Sequence, residues 1–75
     1  MSWNYRVVCD DLGAYGIKEV YYDKDNKEIT SWSEDFMYPY SEENYAGLKV
    51  DFSYMKRAFD KPILHEVNGK LVQLV

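Results

Sequence analysis

Histidine and cysteine, two residue types that often serve as base, nucleophile or metal ligand, occur once each in the chain, as His65 and Cys9. A thiolate nucleophile with an imidazole base is the simplest reaction centre that these two could form. Nothing next to Cys9, such as a helix start or a glycine elbow, indicates an activated thiol. No second histidine or cysteine stands at metal-ligand spacing from His65. We therefore expect a small hydrophobic residue at Cys9 and a residue of the sheet margin at His65.

The segment from Asp23 to Glu34 begins like a calcium-binding loop. Such a loop needs an oxygen ligand at its fifth position and a glycine at its sixth. Lys27 and Glu28 stand there instead, and the flanking residues are typical of strands rather than helices. This segment is better explained as a polar turn, residues 23–28, between two strands.

Glu19 is a further candidate for a catalytic residue. It alternates with Ile17 and Tyr21 in the sequence, and a carboxylate among aromatic rings is a candidate general acid or base. No second carboxylate can be paired with it, so an ion pair with Arg6 or Lys18 is the simpler expectation. We expect no catalytic residue, no metal and no cofactor, and we expect that the chain is not an enzyme.

Length, charge and cysteine content limit the class of protein and the cellular compartment that the sequence predicts. The 75 residues are enough for one small α+β domain, residues 1–75, and the net charge is −4. This charge disfavours a general binder of nucleic acid or anionic membrane, and it suits a basic protein partner. A lone cysteine, the lack of a signal-peptide pattern and the lack of a long apolar run predict a cytoplasmic protein that does not contact membrane.

The pattern along the chain predicts the order β-β-β-α-β-β. Alternating apolar residues indicate strands at 3–9 and 15–22, and a third, less regular strand at 29–34. We therefore expect an antiparallel meander of three strands, with one amphipathic helix packed on the sheet and a β-hairpin at the end of the chain. The sequence leaves open which face of the second strand is buried.

The helix is predicted at residues 42–59, capped by Ser41 and ended by Pro62. An apolar stripe recurs at steps of three and four residues. Its members are Tyr45, Leu48, Phe52, Met55 and Phe59. We expect this stripe to cover the sheet.

The hairpin is predicted at Asn68-Gly69, which is the strongest short signal for a type I′ turn. A two-residue loop pairs Val67 with Lys70 and His65 with Val72. We expect the face that carries Ile63, His65, Val67, Val72 and Leu74 to pack inward.

Three segments together resemble a family of short, uncharacterised bacterial proteins: WNYRVV at 3–8, YGIKEVYYD at 15–23 and KPIL at 61–64. The resemblance covers about residues 3–64 and implies three strands, a helix and then a Lys-Pro pair followed by an aliphatic residue, in a bacterial or phage cytoplasm. It implies no activity, and the hairpin after Leu64 is not part of the family pattern.

The stretch from Trp32 to Tyr45 is the candidate binding site, because aromatic rings alternate there with acids. Aromatic side chains supply anchors at protein interfaces, and acids around them suit a basic partner. The candidate partner-binding residues are Trp32, Glu34, Asp35, Phe36, Tyr38, Tyr40, Glu42 and Glu43. Some of these rings are also candidates for the core.

We therefore expect a small acidic protein-interaction module, such as an anti-CRISPR-like, antitoxin-like or immunity-type inhibitor that occludes a basic or nucleic-acid-binding surface of its partner. One alternative is a small-ligand binder or enzyme that uses Glu19, His65 and the tyrosines. Another is a binder of single-stranded nucleic acid with Arg6, Lys18 and Lys27 beside exposed rings. A homodimer through an edge strand is also open.

Overall fold

The computed structural model describes residues 2–25 and 27–74, so Asn26, in the predicted polar turn, lies outside the described residues. The elements of the described chain are β1 (Ser2–Cys9), β2 (Tyr15–Tyr22), β3 (Ile29–Trp32), α1 (Tyr45–Lys56) with a 3₁₀ turn (Arg57–Asp60), β4 (Leu64–Val67) and β5 (Lys70–Gln73). The predicted α+β class and the order β-β-β-α-β-β are confirmed.

All five described strands form one curled sheet in the order β3-β2-β1-β4-β5. The pairs β1–β2, β2–β3 and β4–β5 are antiparallel, whereas β1 and β4 run parallel, with Val8 opposite Leu64. Parallel neighbours need a long crossover, and α1 lies within the segment that provides it. The meander and the terminal hairpin are therefore two halves of a single sheet.

The largest cluster of buried residues lies on one face of this sheet and consists of Val8, Val20, Leu64 and Leu71. Partly buried Tyr22, Ile29 and Trp32 pack against it. Val7, on the other face of β1, is also buried, as are Met55 and Ala58 of the helical segment. Val20 is fully buried, so the face of β2 that carries alternate residues from Gly16 to Tyr22 turns inward. The cation Lys18 lies on that same face, which is why the sequence of β2 shows no apolar side.

The helix is shorter than predicted and begins later. Its N-cap is Asn44, whose side chain accepts a hydrogen bond from the Gly47 N–H at 2.7 Å. Ser41 instead closes a turn ahead of the helix, where its hydroxyl accepts from the Glu43 N–H at 3.2 Å. Glu42 therefore precedes the helix and is not in its first turn.

The apolar stripe of the helix is mostly outside the core, contrary to the expectation from its spacing. Met55 is the one buried residue of α1, and Ala58 of the following turn is also buried. Phe52 is 55% exposed and Phe59 69% exposed. Tyr45 is also exposed and Leu48 is half-buried, so Met55 is the one residue of the five-residue stripe that is buried.

The hairpin has the predicted turn but the opposite face inward. Asn68 and Gly69 have φ of 51° and 73°, and Val67 pairs with Lys70 as expected. Leu64 and Leu71 are buried, whereas Ile63 and Leu74 are exposed. Because Leu64 stands opposite the core residue Val8, the parallel pairing sets which alternate residues of β4 point inward.

No helix in the described part of the chain is both long enough and apolar enough to cross a membrane.

Candidate functional site

The predicted binding segment splits into an inward part and an outward part. Trp32 packs against the core, and Phe36 is half-buried. Tyr38 and Tyr40 are 69% and 58% exposed. The acids Glu34, Asp35, Glu42 and Glu43 are all exposed as well. The segment thus contributes some of its rings to the interior and exposes others together with its acids.

Phe36 attaches the segment to the sheet. Its ring covers Gly16 so closely that a Cβ on that glycine would lie 2.4 Å from the ring. The ammonium of Lys18 lies 5.3 Å from the centroid of the same ring and donates to the Glu34 carbonyl at 2.9 Å. Glycine at position 16 is therefore needed for space, because its lack of a side chain lets the ring approach the backbone.

Buried Lys18 faces buried Arg6 across the β1–β2 pair. The two cations use different partners, since Lys18 lies 4.0 Å from a carboxylate oxygen of Glu66 and Arg6 donates to the Pro62 carbonyl at 2.7 Å. A buried charge needs such partners to offset the loss of hydration. Lys18 thereby connects the candidate segment with β4.

The backbone beyond Phe36 is held at two further points. The Met37 N–H donates to the Ile17 carbonyl at 2.7 Å, in an isolated bridge to β2. The Tyr40 N–H donates to one carboxylate oxygen of Asp51 in α1 at 3.0 Å, and the Tyr5 hydroxyl donates to the other at 3.4 Å. The segment is irregular, yet it is fixed between the sheet and the helix.

Asp51 also affects the ionisation of Tyr5. Burial first, and then the nearby carboxylates of Asp51 and Glu19, raise the pKa of the Tyr5 phenol above its ordinary value of 10.0. The neutral phenol can donate a hydrogen bond to Asp51, whereas a phenolate would be repelled by it. This contact therefore depends on a protonated Tyr5.

The exposed rings lie beside one another. The Tyr38 and Tyr40 rings meet edge to face with centroids 6.2 Å apart, and the Tyr40 hydroxyl donates to Glu42 at 3.1 Å. The exposed part of α1 continues this surface, because Pro39 lines a shallow cleft of about 400 Å³ together with Tyr45, Leu48, Lys49 and Phe52. We call the set Tyr38, Tyr40, Glu42, Glu43, Tyr45 and Phe52 the acidic–aromatic surface.

Cys9 and His65 are brought together in a way that the sequence did not indicate. They are opposite residues of the parallel β1–β4 pair, and both are partly buried. The Cys9 thiol donates to the Asp10 carbonyl at 3.7 Å, and no hydrogen bond joins it to His65 among the described residues. The tertiary fold thus supplies the neighbour that a thiol nucleophile needs, without the hydrogen bond that would activate it.

Glu19 does not form the expected ion pair with Arg6 or Lys18. Its carboxylate accepts from the Tyr21 hydroxyl at 3.3 Å. Arg6 and Lys18 lie on the opposite face of the β1–β2 ladder, because alternate residues of a strand point to opposite sides. Glu19 therefore belongs to the aromatic face that also carries Trp3, Tyr5 and Tyr21, and the helix contacts this face through Tyr5 and Asp51.

A second aromatic region lies between β1 and the end of the helix and was missed by sequence reasoning. It is a cleft of about 610 Å³ lined by Trp3, Asn4, Tyr5, Tyr54, Arg57 and Lys61. Its residues come from two stretches far apart in the chain, 3–5 and 54–61, so no local motif marks it. The described residues contain no cluster of three or more histidine, cysteine, aspartate or glutamate side chains that could hold a metal ion.

Comparison of the chain with protein-family models, curated proteins and solved structures found no match.

Proposed function

We propose that the chain is a small acidic protein-interaction module, and that the acidic–aromatic surface docks onto a partner protein with a basic surface. The observation that carries this proposal is the pair Tyr38 and Tyr40, which is exposed yet fixed in place by contacts to the sheet and the helix. Aromatic side chains on a rigid backbone lose little conformational entropy when they bind. Such residues are frequent energetic anchors at interfaces.

The charges around the rings suggest the chemistry of the partner. Glu42 and Glu43 flank the tyrosines on one side, and Glu34 and Asp35 precede them in the chain. Lys49 is the nearest cation on the helix, and its ammonium lies 4.7 Å from the centroid of the Tyr45 ring. A partner with lysine or arginine side chains around an apolar patch would complement this arrangement.

Within this class we favour an inhibitor of the immunity, antitoxin-like or anti-CRISPR-like kind. Such a protein covers a basic or nucleic-acid-binding surface and needs shape and charge rather than catalysis. The resemblance of three segments to short, uncharacterised bacterial proteins is consistent with a bacterial or phage cytoplasm. The same proposal treats the chain as a binding protein and not as an enzyme.

Partner capture from a bacterial host lysate tests the function. We expect the protein to retain a partner in stoichiometric amount, and we expect retention to weaken as salt is raised, since charge complementarity is screened. A Y38S/Y40S double variant should lose the partner. The matched control is F59S, because Phe59 is a 69% exposed aromatic residue of the 3₁₀ turn and lies outside the acidic–aromatic surface.

Two results would count against the proposal in different ways. Failure to capture any stoichiometric partner at low and moderate salt would remove the interaction function. Equal retention by Y38S/Y40S and by the parent protein would leave the function but remove this surface as its site.

A homodimer through an edge strand is the second candidate. β5 is the last strand of the sheet, and Leu74 beyond it is 57% exposed. Edge strands with exposed apolar residues can pair with a second copy. Size-exclusion chromatography with light scattering tests this arrangement, and a constant monomer mass across concentration would exclude it.

A further inference from the structure

The cleft between β1 and the end of the helix continues into a smaller one. The smaller cleft has a volume of about 300 Å³ and is lined by Ser2, Trp3, Asn4, Arg6, Tyr22 and Lys61. Trp3, Asn4 and Lys61 line both clefts. Together they form a groove across the start of β1, which we call the aromatic–basic groove. It shares no residue with the acidic–aromatic surface.

The groove carries positive charge in a chain whose net charge is −4. Arg6, Arg57 and Lys61 line it, and none of the lining residues that the structure describes is acidic. Arg57 and Lys61 are exposed and form no salt bridge with any described residue. Two cations are therefore available to an anion from solution.

Arg6 lines only the smaller cleft, because its side chain lies on the face of β1 opposite to Trp3 and Tyr5. It is only 9% exposed, and it donates to the Tyr22 hydroxyl at 3.0 Å, which in turn donates to the Asn4 side chain at 2.9 Å. Its Nε is buried without a hydrogen-bond partner among the described residues. Because this side chain is buried and its terminal nitrogens already donate to Tyr22 and to the Pro62 carbonyl, Arg6 contributes positive charge to the groove rather than a direct contact with a ligand.

The rings of the groove offer planar surfaces beside these cations. Trp3 is 50% exposed and Tyr54 is 53% exposed. Trp3 is held by an edge-to-face contact with Tyr5, at 5.1 Å between centroids, and the Arg57 guanidinium lies 5.1 Å from the centroid of the Tyr54 ring. Exposed rings next to cations are the arrangement by which proteins bind bases and their phosphates.

We propose that the aromatic–basic groove binds a nucleotide unit, with the base against Trp3 and Tyr54 and the phosphate near Arg57 and Lys61. A free nucleotide and one unit of a single strand present the same chemistry to the groove. The cations differ from those suggested by the sequence. Of that set only Arg6 lies here, because Lys18 points toward Phe36 and Lys27 lines a different cleft beside β3.

Titration followed by tryptophan fluorescence and by amide chemical shifts at low salt tests the proposal. The probes are adenosine monophosphate, adenosine, inorganic phosphate and a six-residue oligothymidylate. We expect the monophosphate to shift resonances of β1 and of the helix end, and to bind at least about tenfold more tightly than adenosine or phosphate alone. If the oligothymidylate binds more tightly than the monophosphate, the ligand of the groove is a single strand. If the two bind equally, the ligand is a free nucleotide.

Variants locate the site. R57Q/K61Q should weaken binding of the monophosphate by about tenfold or more, and Y54S should weaken it without changing the salt dependence. The matched control is K56Q, because Lys56 precedes Arg57 in the chain but does not line the groove. All three changes are at exposed positions, and circular dichroism checks that each variant is folded.

Three results would overturn the proposal. One is no binding of either nucleotide probe at millimolar concentration. Another is equal binding of inorganic phosphate and the monophosphate, which would remove the role of the rings. The third is an equal loss of affinity in K56Q and R57Q/K61Q, which would reduce the effect to general charge.

Discussion

Substitution of Gly16 by alanine tests how the candidate segment is attached to the sheet. A Cβ at this position would lie 2.4 Å from Cδ1 and 2.5 Å from Cγ of Phe36, about 1 Å closer than the 3.4 Å at which ordinary contact begins. Since Cγ is the first atom of the ring, rotation of the ring about its own axis cannot relieve the clash. Phe36 must move away from β2.

The expected loss of stability is the difference between two effects. Forced overpacking costs about 1–3 kcal/mol. Alanine in a strand returns about 0.5–1 kcal/mol relative to glycine, because the unfolded chain loses less entropy. The net destabilisation of G16A should therefore lie between about 0 and 2.5 kcal/mol, with a central value of about 1 kcal/mol. For a domain of this size the central value corresponds to a fall in Tm of roughly 4–8 °C.

A double-mutant cycle with F36A separates the two effects. In the F36A background the ring is absent, so G16A should be neutral or stabilising by about 0.5–1 kcal/mol. Urea denaturation followed by circular dichroism measures all four free energies of unfolding. The reasoning is refuted if G16A stabilises the parent protein, or if its effect has the same sign and size in both backgrounds.

Three other expectations follow from particular contacts. Burial and Asp51 raise the pKa of Tyr5, so the folded state holds the phenol proton more tightly than the unfolded state does. The free energy of unfolding should therefore fall as pH rises above about 10. Urea denaturation across this pH range should show a smaller fall in Y5F. G69A should cost about 1–2 kcal/mol, because φ is 73° there and no atom lies near enough to clash; an unchanged urea midpoint would contradict this. M55A should lower the free energy of unfolding by about 2–5 kcal/mol, because Met55 is buried. F52S, at an exposed helix position, should change it by less than about 0.5 kcal/mol. Comparable losses in the two variants would show that the whole apolar stripe is core.

The two surfaces proposed for binding share no residue and differ in charge. The acidic–aromatic surface includes Tyr45 and Phe52 of α1, whereas the aromatic–basic groove includes Tyr54 of α1 and the following Arg57 and Lys61. Their tests are independent, because the variants in one surface leave the residues of the other unchanged. The protein partner and the nucleotide can thus be confirmed or rejected separately.

Local chemistry in the sequence determined the elements of this protein. Alternating residues predicted β2 at its observed bounds, and Asn68-Gly69 predicted the hairpin, because a type I′ turn needs two residues that tolerate positive φ. Ring-rich, acidic composition predicted that part of the segment from Trp32 to Tyr45 would be exposed. Each of these features depends on residues close together in the chain.

Only the tertiary structure decided which faces are buried and which residues meet. The parallel pairing of β1 with β4 placed Leu64 opposite Val8, so the hairpin buries the face opposite to the one expected from the sequence. The same pairing placed Cys9 opposite His65. The helix touches β1 mainly through its end, so Phe52 is exposed although its spacing is that of a core residue. Trp3 and Arg57 line one groove although 53 residues separate them in the chain. Such contacts depend on how elements pair in space, and a local pattern of hydrophobicity carries no information about that pairing.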